Sequence, residues 1–114
     1  MMGRLGAAVL VAVWLLVTGL GSGCARLDAQ GREALAAQGR QLFTDKGCYG
    51  CHTIGAAGTP IAPDLRRAVA RYSEETLARW LRDPAAQEPT RHMPNLQLSE
   101  AEARALAAYL ASLR

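Results

Sequence analysis

Residues 48–52 read Cys-Tyr-Gly-Cys-His. On one helical turn, positions i, i+3 and i+4 share a face, so the thiols of Cys48 and Cys51 and the imidazole of His52 can all be turned toward one flat ligand. Upstream, Leu35, Gly39, Leu42 and Phe43 fall at helical spacing and predict an amphipathic helix over about 32–46, ended by Gly47. Downstream, residues 53–63 contain Gly55, Gly58, Pro60 and Pro63, which predicts a loop that wraps something instead of crossing a core.

The rest of the composition gives that loop a reason. In 114 residues and 12.2 kDa there is room for one small domain, which excludes a large multidomain enzyme. Aromatic residues make up only 5% of the chain, so a core built from its own side chains would be mostly Ala and Leu, and marginal. Something other than side chains is expected at the centre. The net charge of +3 includes Arg4, outside the expected domain. The remaining charge, about +2, is too weak to imply nucleic acid as a partner.

Residues 1–23 have the form of an export signal or membrane anchor: Arg4 in a short positive head, an apolar run from Leu5 through Leu20, then Gly21, Ser22 and Gly23. The run is shorter than the about 20 residues of a comfortable membrane span, which favours a signal over a permanent anchor. Cys24 follows directly, an arrangement that resembles the lipobox of bacterial lipoproteins, although Leu20 stands four places before the cysteine instead of three. Lipidation at Cys24, an uncleaved anchor, or cleavage elsewhere with a free thiol all place the domain outside the inner membrane. Residues 24–31 are polar and read as a tether, and 32–114 as the domain.

Within that domain, Asp64 is placed to cap a short helix reaching Tyr72, and Ser73 to cap another that Pro84 stops. Pro89 and Pro94 mark a second long loop. Ser99 and Glu102 form an S-x-x-E capping box ahead of a last helix bearing Leu106, Tyr109, Leu110 and Leu113. Nothing alternates as a strand should, so the predicted fold class is all-α, with short helices and long loops.

The spacing C-x-x-C-H is the attachment signature of c-type haem. Cys48 and Cys51 would form thioethers with the two vinyl groups, and His52 would bind iron. Two other readings use the same residues. A redox disulfide of the thioredoxin kind needs a sheet, and none is predicted. A zinc site from Cys48, Cys51, His52 and His92 has enough ligands, but such sites rarely sit in exported domains with so helical a remainder. For a haem iron the sixth ligand decides the chemistry. Met1 and Met2 belong to the leader, which leaves Met93, in the proline-bounded loop, as the methionine of the domain, with its neighbour His92 as rival. A soft thioether favours ferrous iron, and His/Met ligation leaves no open position for a substrate.

With order and spacing added to the motif, residues 32–113 resemble the class I monohaem cytochromes c, and in particular bacterial haem c domains associated with terminal oxidases. In that family a Gly and an aromatic on the first helix pack against an aromatic on the last; Gly39, Phe43 and Tyr109 hold the matching places. The resemblance also implies that the Pro63 carbonyl accepts a hydrogen bond from His52 Nδ1, that Trp80 lies near a haem propionate, and that one haem c is bound covalently. Trp80 and Tyr72 serve equally as ordinary helix packing. The Arg66, Arg67, Arg71 run reads as a solvated helix face or as a docking patch for an acidic partner.

The function so implied is one-electron transfer without catalysis. The carrier would be held at the membrane, facing the periplasm or cell exterior, between respiratory partners such as a terminal oxidase, a reductase or a quinol-oxidising complex. The alternative is a haem c subunit fixed in a larger oxidoreductase.

Overall fold

Side-chain caps set the helix boundaries in the computed structural model, which describes residues 3–90 and 92–114, with side chains described from Gly23 onward. The Asp64 side chain accepts from the Arg66 N–H and starts α2, Leu65–Ala68, which continues as a 3₁₀ turn over Val69–Arg71. Ser73 accepts from the Thr76 N–H and starts α3, Glu74–Arg82. Ser99 and Glu102 close a reciprocal capping box at the start of α5, Glu100–Ala111. Each such cap stabilises its helix by about 1 kcal/mol, a large contribution for elements this short.

Three local features differ from expectation. The first helix, α1, spans Gly3–Asp45 and so includes residues 24–31. Ala, Arg, Leu and Gln in that stretch are good helix formers and outweigh Cys24, Asp28 and Gly31. The loop after the motif contains a small antiparallel pair, β1 (Thr53–Ile54) and β2 (Ala57–Gly58). Pro84 stops α3 but also opens a one-turn helix, α4 (Pro84–Gln87), because Asp83 caps it and proline is pre-organised for a first helical position.

The chain divides into two units, residues 1–32 and 33–114. In the first, Cys24 and Leu27 are exposed on helical backbone. The expected leader lies outside the residues whose side chains are described. Among the described residues, no helix is long and apolar enough to cross a membrane.

The second unit is all-α apart from the two-residue strands. The core joins Phe43 to Leu65, Val69, Leu77, Leu81 and residues of α5, with α3 lying along α5. Phe43 and Tyr109 meet edge-on at 5.7 Å between ring centroids. Gly39 makes the closeness of α1 and α5 possible: a Cβ there would run into the Ala105 carbonyl oxygen and stand 2.8 Å from Tyr109 Cβ. From Ala105 to Leu110 every residue of α5 is buried. The alanines allow this, since they leave room for neighbours on all sides.

Candidate functional site

Gly47 separates α1 from a 3₁₀ turn over Cys48–Gly50. The Cys48 carbonyl accepts from the Cys51 N–H at 3.2 Å and from the His52 N–H at 2.9 Å, so the motif closes one turn. The following loop folds back on it: Thr59 N–H donates to the Tyr49 carbonyl at 2.9 Å, and Ile61 and Ala62 both donate to the Cys51 carbonyl, at 3.1 and 2.7 Å. This return needs Gly58, which has φ 102° and whose absent side chain leaves space for the His52 carbonyl.

The His52 ring is fixed from one side. Its Nδ1 lies 2.9 Å from the Pro63 carbonyl oxygen, so the ring N–H donates there and Nε2 keeps a free lone pair. Pro63 is held in turn by its neighbour. Asp64 accepts from the Thr53 hydroxyl at 3.0 Å, from Gly55 N–H at 3.0 Å and from Arg66 N–H at 2.9 Å. Burial alone would raise the Asp64 carboxyl. The Thr53 hydroxyl and the surrounding backbone N–H groups outweigh it and hold the carboxyl below its usual range.

Cys48, Cys51 and His52 line a cavity of about 930 Å³, whose wall also includes Pro63, Met93 and Trp80. Phe43, Leu65, Val69, Leu77, Leu81 and Leu106 make much of the remainder apolar. The cavity is partly open to solvent, and so much apolar lining left against water is unfavourable at roughly 25 cal/mol per Å². The fold is therefore shaped for a large apolar guest. Covalent haem fits the donor set: two thiols, one imidazole with its second nitrogen engaged, and one thioether. Both thiols are free, Cys51 exposed and Cys48 half-buried. Burial pushes the Cys48 thiol up, against a smaller lowering by its backbone hydrogen bond, with Cys51 also raising it. It is thus held as S–H, the group that adds across a vinyl double bond.

The other expected residues are placed as follows. Met93 is half-buried, and His92 beside it is exposed, yet both reach the cavity wall. Trp80 is half-buried with the Tyr72 ring 5.7 Å away, and both line the cavity. Of the arginine run, Arg67 and Arg71 border the cavity, while Arg66 approaches Gly55. Cys24 lies in the other unit. Among the described residues no cluster of three or more His, Cys, Asp or Glu could hold a metal ion, so the zinc reading finds no assembled site.

Sequence reasoning missed two contributors. Tyr49, inside the motif, packs edge-on against Phe43 at 4.8 Å. Lys46 borders the cavity and pairs with Glu102 at 2.9 Å. An aromatic between the two cysteines was a visible signal for the first. The ion pair joins residues too far apart in sequence to be paired by inspection.

A family model described as cytochrome c matches residues 36–114. The chain is 41% identical over 91 residues to cytochrome c oxidase subunit 2 of Alkalihalophilus pseudofirmus, covering 72% of this chain and 27% of that one. It is 35% identical over 95 residues to the same subunit of Bacillus subtilis, covering 70% and 27%. With a nitric oxide reductase subunit of Paracoccus denitrificans it shares 30% over 82 residues, covering 64% and 55%. The chain thus spans about a quarter of these oxidase subunits and about half of the reductase subunit. With the C-x-x-C-H turn set into a haem-sized apolar cavity, the chain belongs to the cytochrome c family, carries covalently bound haem c, and serves haem electron transfer.

Proposed function

We propose that the chain is a one-electron carrier, exported and held at the membrane, that passes electrons between respiratory partners such as a terminal oxidase, a reductase or a quinol-oxidising complex. The observation that carries this reading is that Cys48, Cys51, His52 and Met93 all line one cavity. His52, oriented by Pro63, and Met93 would hold the haem iron between them, and with both bound no coordination position would be left for a substrate. Bound haem supplies the one-electron couple. Cys48 and Cys51 would anchor it, the leucines and Phe43 would exclude water, and Trp80, which lines the same cavity, would serve a propionate as the family resemblance implies. No side chain acts as acid, base or nucleophile, in keeping with a carrier and not an enzyme.

Redox titration with carbon monoxide exposure of the reduced protein tests this. A single one-electron wave and no rapid carbon monoxide binding are expected. Rapid binding would instead indicate a sensor or a catalytic site.

Membrane attachment through lipidated Cys24, with the domain facing the periplasm or cell exterior, completes the proposal. It is supported by the exposure of that thiol and by the small residues before it. Mass spectrometry of the mature N-terminus tests it, with a diacylated cysteine as the expected first residue. A second reading, a haem c subunit fixed in a larger oxidoreductase, is favoured by the relatives, which are named as subunits. Co-elution of a catalytic chain after stringent washing of detergent-solubilised protein would select it over the shuttle.

A further inference from the structure

The cavity wall carries a second imidazole. His52 is engaged at Nδ1 by the Pro63 carbonyl. His92 also lines the cavity, directly before Met93 in the chain, and makes no hydrogen bond or ion pair among the described residues.

The segment bearing His92 and Met93 is held by side chains, Met93 and Leu96 packed against the core and Leu98 buried in it, and only weakly by its backbone. It lies between the end of α4 at Gln87 and the Ser99 cap of α5. From Pro89 to Leu98 no backbone–backbone hydrogen bond forms among the described residues, and the one local bond runs from Gln97 N–H to the Asn95 side chain at 2.8 Å. A one-residue shift ahead of the Leu96 and Leu98 anchors moves the chain by about 3.8 Å and breaks no backbone hydrogen bond among the described residues. The two side chains also differ in preference. A thioether is a soft ligand that suits ferrous iron, whereas imidazole binds both oxidation states.

We propose that His92 is a reserve axial ligand, which takes the sixth coordination position whenever the Met93 sulfur is lost. This rests on the reading of Met93 as the resident ligand. The exchange is a ligand substitution: an iron–sulfur bond breaks, an iron–nitrogen bond forms through a His92 lone pair, and no electron changes hands. Its effect is to keep the iron closed to small molecules when Met93 lets go.

The test uses the haem-loaded protein with Met93→Leu, which conserves volume, and with Met93→Ala, each alone and combined with His92→Ala. The readouts are the spin state by electron paramagnetic resonance and the rate of carbon monoxide binding after reduction. Each single Met93 variant is expected to remain low-spin and to bind carbon monoxide slowly, and each double variant to shift to high spin and bind it rapidly. Single variants that are high-spin and as reactive as the doubles would overturn the proposal while leaving Met93 as ligand. Single variants with the spectrum and potential of the parent would show that Met93 was never the ligand, and the proposal falls with that assignment.

Discussion

His52 Nδ1 and the Pro63 carbonyl oxygen lie 2.9 Å apart across eleven residues of loop. The bond ties the only imidazole of the motif to the start of α2, so the capping residue Asp64 and the motif histidine are positioned together. An acceptor of this kind, taking the ring N–H, raises the basicity of a ligating imidazole.

Weakening that bond should therefore raise the reduction potential. Pro63→Ala keeps the carbonyl but frees its backbone. Loss of up to one hydrogen bond, about 1 kcal/mol, corresponds to roughly 40 mV for one electron. Redox titration of the variant should give an upward shift of that order with the haem still attached. A downward shift would contradict the assigned direction of donation.

Removing the Met93 sulfur should act in the opposite sense and more strongly. In Met93→Leu the potential should fall by several times the Pro63 effect, because the ligand that favours ferrous iron is gone. An unchanged potential and visible spectrum would remove Met93 from the site.

Gly39 should be intolerant of any side chain. Gly39→Ala forces a methyl group against the Ala105 carbonyl and the Tyr109 Cβ, so a loss of about 1–3 kcal/mol is expected from overpacking. Denaturant unfolding of the haem-loaded variant measures it. Stability equal to the parent would mean that α1 and α5 do not approach as closely as the structure has them.

Acid should unfold the domain partly through Glu102. The Ser99 backbone N–H and then Lys46 hold its carboxyl below the usual range, so the folded state binds the ionised form. The resulting stability is present above the ordinary carboxylate pKa, about 4.3, and is lost as pH falls through the depressed folded value. Asp64 adds in the same direction. Thermal unfolding followed from neutral pH downward should show a shallower acid loss in Glu102→Gln than in the parent. Parallel curves would assign the acid sensitivity elsewhere.

Much of this was legible because the signals are local. The caps at Asp64, Ser73 and Ser99 announce their helices through side chains two or three residues from the backbone groups they bind. The C-x-x-C-H turn closes within five residues, and the cytochrome c assignment followed from it. The features that escaped depend on weaker or longer-range terms. The polar look of residues 24–31 concealed their helical propensity. The β1–β2 pair is too short to show alternation. Lys46 and Glu102 are brought together only by the docking of α1 on α5.

The central claim is that porphyrin is joined to the chain through Cys48 and Cys51. Its most direct test is haem staining of a denaturing gel, with the parent protein beside a Cys48→Ser, Cys51→Ser double variant, both exported through a cytochrome c maturation pathway. The account predicts a stained band at the mass of the parent chain and none for the double variant, since only thioether-linked haem survives denaturation. A correctly exported parent that stays colourless would contradict it.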